Sequence, residues 1–131
     1  MSMSVGMLDH YNVSTRTLRD TVRFYEEVLG LTVTQDLGGA VVYRSGTSAV
    51  FVYESEFAGT NKATAATWGV GEDFDGVVQA LRDKGVTFEH YDELPETTRD
   101  GDVHSFADSG MRAVWFKDPD GNILNVGNAP A

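Results

Sequence analysis

Apolar residues recur along this chain with two periods, one helical and one of strands. In TLRDTVRFYEEVL, residues 17–29, Leu18, Val22, Tyr25 and Leu29 fall on one helical stripe. Thr17 followed by Asp20 resembles a capping box, and Gly30 is a C-terminal stop. Residues 73–84, DFDGVVQALRDK, repeat the arrangement with Phe74, Val77, Val78 and Leu81, and Gly85 stops them. Strand-like runs surround each helix. LDHYNV (8–13) precedes the first, and LTVTQ (31–35), AVVYR (40–44) and SAVFVYE (48–54) follow it. ATAATWGV (63–70) precedes the second, and VTFEHY (86–91), MRAVWFK (111–117) and NILNVG (122–127) follow.

The two series align without outside help. Gly30 meets Gly85, Val22 meets Val77 and Val13 meets Trp68 at one constant spacing, while the C-terminal strand pairs need a larger one. That second alignment places residue 42 on 115 and residue 52 on 125. The pattern predicts an α+β fold of two βαβββ modules, at about 7–55 and about 63–128, within one domain spanning 1–131. DELPETTRDGDVHSFADSG (about 92–110) is too long for a tight connection and reads as a solvated acidic loop or a lid.

Composition narrows the functional classes. The formal net charge of −10, with ten basic residues scattered along the chain, argues against nucleic-acid and anionic-membrane partners. No apolar run approaches the roughly 20 residues of a membrane span. MSMSVGMLD lacks the pattern of a secretion signal, and there is no cysteine for a disulfide, nucleophile or thiolate ligand. A cytoplasmic protein is the expectation.

The order LDHYNV, then RFYEEVLGL, then FKDPDGNIL resembles the vicinal oxygen chelate superfamily, which includes glyoxalase I, extradiol dioxygenases, and fosfomycin- and bleomycin-resistance proteins. The match covers roughly residues 8–127. The resemblance implies paired βαβββ modules with mixed curved sheets forming a cup, a small organic ligand bound in that cup, and a homodimer. In metal-dependent members a first-strand histidine is a ligand, and His10 occupies that place.

Strand alternation then distributes the other residues. With His10 and Asn12 turned into the cup, the repeat adds Ala65 and Thr67, and places Trp68 on the helix side. On the outer strands Val42, Val52 and Glu54 are expected in the cup, with Ala113, Trp115 and Asn125 matching them in the second module. The four ligand places of the resemblance therefore read His10, Val52, Ala65 and Asn125. Valine and alanine carry no donor, and a neutral amide binds divalent transition metals poorly. His90 and His104 are expected on the solvated surface.

This reading favours a small-molecule binding protein without metal or other cofactor, of the antibiotic- or metabolite-sequestering kind. Its expected ligand-binding residues are His10, Asn12, Val52, Glu54, Thr67, Trp115 and Asn125. The alternative is a glyoxalase-like lyase or isomerase, or a dioxygenase, with a divalent metal on a displaced site through His10 and Glu54. A metal-free enzyme would use the same pair, His10 as general base and Glu54 orienting it. The second alternative is a non-catalytic regulatory or interaction domain whose cup Trp115 and its neighbours fill.

Overall fold

The computed structural model describes residues 10–16, 18–107 and 109–129; the side chains of 10–12 lie outside that description, as does the Thr17 cap. In the first module β1 (His10–Thr15) leads into helix α1 (Leu18–Arg23), followed by β2 (Thr32–Asp36), β3 (Ala40–Ser45) and β4 (Ser48–Glu54). The sheet order is β1-β4-β3-β2, with β1 parallel to β4 and the remaining pairs antiparallel. The second module repeats this with β5 (Thr64–Gly69), α2 (Phe74–Asp83), β6 (Phe88–Glu89), β9 (Arg112–Lys117) and β10 (Ile123–Gly127). β10 lies between β5, parallel, and β9, antiparallel. Two curved mixed sheets with few helices result, as the repeat implies.

The helical stripes are where the periodicity puts them. Leu18 and Tyr25 are buried, Val22 and Leu29 pack against the core, and Phe74, Val78 and Leu81 do the same from α2. The first helix ends in one π turn, Phe24–Val28, closed by the Leu29 N–H on the Phe24 carbonyl (3.1 Å). That wider turn lets the adjacent Phe24 and Tyr25 both face inward, Phe24 against Phe116 and Tyr25 stacked on Tyr43. Gly30 (φ 70°) and Gly85 (φ 88°) terminate the two helices in the left-handed conformation expected of them.

Two expectations fail here. Residues 92–110 are not simply a loop: β7 (Thr97–Asp100) and β8 (Val103–Phe106) form a hairpin that extends the second sheet beyond β9. Arg82 and His90 hold its turn through Asp102 (3.0 and 2.8 Å), and Arg99 grips Asp92 (2.7 Å). The second failure is one of register. Gly46 and Thr47 alone link β3 to β4, whereas residues 118–122 link β9 to β10. Val42 therefore pairs with Phe51 and not with the position beyond it, while Trp115 pairs with Asn125. A one-residue slip turns a whole strand over. Val52 is wholly buried among Val13, Val41 and Tyr43 on the helix side, and Glu54, which pairs with Thr15 and shares its parity, lies on that side too.

The turn after β9 clasps the modules together. Asp120 accepts hydrogen bonds from the Thr15 and Thr21 hydroxyls and from the Arg16 N–H (2.8 Å). Asp118, buried, accepts the Tyr25 hydroxyl (2.9 Å) and the Asn122 side-chain amide (2.8 Å). The Asn122 amide also donates to the Ser14 carbonyl (2.6 Å), and Asn122 Oδ1 accepts the Gly59 N–H (3.3 Å). Each residue of the DPDGN turn that carries a carboxylate or amide is thus spent on joining one half of the molecule to the other.

Candidate functional site

Away from the helices, each sheet presents a second face. In the first module it carries Val42 and Phe51, paired across β3 and β4, and Tyr53 beside them. In the second, register and alternation place Thr67, Asn125, Trp115 and Glu89 side by side across β5, β10, β9 and β6. Ala113 sits next to His104 of β8 on the same face.

Trp115 is the centre of an aromatic cluster on this face. His104 meets it edge-on at 5.0 Å between ring centroids, Tyr91 edge-on at 5.6 Å, and Phe106 lies 6.5 Å away. The Trp115 indole N–H donates to Thr64 Oγ1 (3.2 Å), which fixes the ring's orientation. A cavity of about 560 Å³ opens beside it, lined by Trp115, Tyr91, Leu94, Ile123, Glu89 and Lys117. Its size and mixture of flat apolar wall with a few polar groups are those of a small-molecule site. Glu89 and Lys117 neutralise each other across it (3.1 Å). A smaller crevice of about 380 Å³ on the helix side, between Phe24 and Gly85, has no comparable aromatic wall.

The surroundings disfavour charge on two of these rings. Burial, then Glu89, raises the Tyr91 phenol above its ordinary value, with Lys117 opposing. Burial, then the Arg99 guanidinium, lowers the His104 imidazole below its own, against a weaker pull from Asp92. His104 is 1% exposed, so its expected place on the solvated surface is corrected. Nothing local in the sequence marked it. What hides it is the pairing of β8 with β9, which turns position 104 under Tyr91 and against Trp115. His90 is exposed, as expected, and bonds Asp102. Trp68 packs against the core and donates to Ser45 Oγ (2.8 Å), linking β5 to β3.

The metal places of the resemblance can be revisited with the true register. On β4 the helix-free positions are Phe51 and Tyr53, not Val52; on β5 it is Thr67, Ala65 falling at the register break and packing against the core; on β10 it is Asn125, whose amide nitrogen donates to the Val114 carbonyl (3.0 Å). His10 opens β1 opposite Ala49, and Asn12 stands opposite Phe51; both side chains lie outside the described residues. Glu54 sits instead beside Arg16, Ser55 and Glu56 on the exposed opposite side, which removes the displaced metal site and the base-orienting role together. Among the described residues no three His, Asp or Glu side chains converge. Beside His10, whose side chain lies outside the described residues, these places offer hydroxyl, neutral amide and hydrocarbon, a poor donor set for a divalent transition metal.

A family model for the Glyoxalase/Bleomycin resistance protein/Dioxygenase superfamily matches residues 7–126. The chain belongs to this superfamily. Among curated proteins it is similar to a virulence protein of Salmonella typhimurium, 22% identical over 96% of this chain and 86% of that one. Among solved structures it resembles an integron cassette protein from the mobile metagenome of the Halifax Harbour sewage outfall (TM-score 0.71, 20% identity, covering 96% and 100% of the two chains). It also resembles a genomically encoded fosfomycin resistance protein from Listeria monocytogenes (TM-score 0.71, 12% identity, 98% and 96%). At these identities the structures establish the superfamily fold, which hosts many chemistries. Among the described residues no helix is long and apolar enough to cross a membrane.

Proposed function

We propose that this superfamily member binds a small organic molecule against the Trp115 face and holds it without a metal, as a sequestering protein does. The observation that carries the reading is the combination of an aromatic-walled cavity of about 560 Å³ with ligand places that, beside His10, offer phenyl, hydroxyl and neutral amide groups. Trp115 and Tyr91 supply stacking area; the Glu89–Lys117 pair supplies polar contacts without net charge. Thr67 and Asn125 share this face, and His10 and Asn12 are retained as candidates from β1. Val52 and Glu54 are not. A homodimer working in the cytoplasm completes the reading: the chain carries no cysteine, and its sheets end in open edges at β2 and β7.

The test is a thermal-shift screen of planar aromatic antibiotics and metabolites, repeated on Trp115→Ala, with metal analysis of protein purified without chelator. A stabilising compound whose effect disappears in Trp115→Ala supports the reading. Stoichiometric zinc, nickel, manganese or iron that is lost in His10→Ala overturns it in favour of a metal-dependent enzyme. The contacts of Trp115 with three other rings favour one further reading, a surface filled by its own side chains. A screen without a single hit, together with a core-like loss of stability in Trp115→Ala, selects that one.

A further inference from the structure

We infer that His104 is the positioning residue of the Trp115 pocket and holds Tyr91 in place only as a neutral imidazole, so that mild acid takes the pocket apart. The geometry leaves it one protonation state. His104 Nε2 accepts the Tyr91 backbone N–H at 3.0 Å, so the single proton of the neutral ring sits on Nδ1. Nδ1 itself is buried and has no hydrogen-bond partner among the described residues. A second proton can enter only at Nε2, where it would face another N–H. The imidazolium would then turn a buried N–H toward the Tyr91 N–H, with only weak help from the Ala113 backbone, and a buried charge so poorly compensated is strongly disfavoured.

The surroundings do not relieve that cost. Arg99, directly across the β7–β8 pairing, adds a like charge. Asp92 would favour the cation, but both its oxygens are held by Arg99 (2.7 and 3.1 Å). β9 contributes the Ala113 backbone, which favours the cation weakly, and the uncharged Trp115 ring. Glu89 is occupied by Lys117, and Tyr91 is a neutral phenol. His90 faces Asp102 (2.8 Å), and any positive charge it carries lowers the His104 imidazole further. The weak point is therefore the Tyr91 N–H bond to His104. Tyr91 and Trp115 both line the cavity, so breaking that bond removes one of its walls.

Resting on the ligand-binding reading, the consequence is retention near neutrality and release in mild acid. Below the midpoint the apparent affinity falls about tenfold per pH unit, in step with the neutral fraction. The experiment follows amide and indole NMR signals of the nitrogen-labelled full chain from neutral into mild acid, beside His104→Gln and His104→Phe. Glutamine can accept the Tyr91 N–H but does not titrate; phenylalanine fills the space and accepts nothing. In the wild type the Tyr91 amide and Trp115 indole should shift together and reversibly, with one midpoint below the ordinary imidazole value, while Val114 and Val126 hold still. His104→Gln should abolish the transition, and His104→Phe should show the acid-type Tyr91 signal already at neutral pH. A transition that persists in His104→Gln, or pocket signals that move only when Val114 and Val126 do, would overturn the inference. These signals need no ligand, so their failure sinks the His104 role alone. A screen without binders beside an intact Tyr91 transition sinks only the binding reading.

Discussion

Asp118 and Asp120 stand two positions apart in one turn, yet their surroundings drive them in opposite directions. Burial raises the Asp118 carboxyl, with Asn122 and Tyr25 pulling back; burial also works to raise Asp120, but Thr15, Thr21 and Arg16 outweigh it and hold Asp120 low. A depressed carboxyl contributes stability above its ordinary pKa and loses it as pH falls through the folded value. A raised one does the reverse: its contribution is present below the ordinary value and is lost as pH rises through the folded one. Asp120→Asn should therefore be least stable relative to wild type near neutrality, by about 1–3 kcal/mol, with the gap closing in acid. Urea midpoints at neutral and acid pH check this, and a gap that does not narrow contradicts it. Tyr25→Phe removes a donor from buried Asp118 and should cost about 1–3 kcal/mol in the same assay. Here the DPDGN motif was legible in the sequence as a turn, but not as the clasp it forms, because its partners lie some hundred residues away in the chain.

Among the elements, two glycines separate conformation from contact. Gly30 (φ 70°) has nothing within 4 Å of where a Cβ would stand, so Gly30→Ala should cost about 1 kcal/mol, the backbone term alone. Gly59 (φ 72°) adds a collision, its Cβ falling 1.8 Å from the Asp120 carbonyl oxygen, a backbone atom within the clasp. Gly59→Ala should therefore lower the thermal midpoint well beyond Gly30→Ala; equal losses would show that the loop can move aside. Turn length also decided which residues line the helix-free face. Alternation alone placed Val42 correctly, but carried Val52 and Glu54 to the wrong side because the β3–β4 turn is shorter than the β9–β10 turn. The β7–β8 hairpin was obscured by its polar composition, since it is held by ion pairs and by one buried histidine more than by an apolar stripe.

For the molecule as a whole, a net charge of −10 opposes compaction and association alike. Moderate salt, which shortens the screening length to about 10 Å at 0.1 M, should raise the melting temperature. A melting curve insensitive to ionic strength would mean that the acids are already compensated by local partners. Light scattering at micromolar concentration should report a dimer, more fully at moderate salt than at low salt; monomer under both conditions would count against the assembly.

Some of this protein was settled by short-range pattern. The helical stripes, the glycine stops at Gly30 and Gly85 and the superfamily signatures depend on residues a few positions apart, where backbone geometry alone sets the period, and the module repeat is that local pattern met twice. Other properties depend on how distant segments meet. Which face Val52 and Glu54 occupy follows from a pairing register; the burial of His104 follows from a hairpin laid along β9; the fate of Asp118 and Asp120 follows from hydroxyls in the other module. Periodicity is a local property of a chain, whereas the surroundings of a polar atom are a property of its neighbours in space, and for His104 and the clasp only the tertiary structure supplies them.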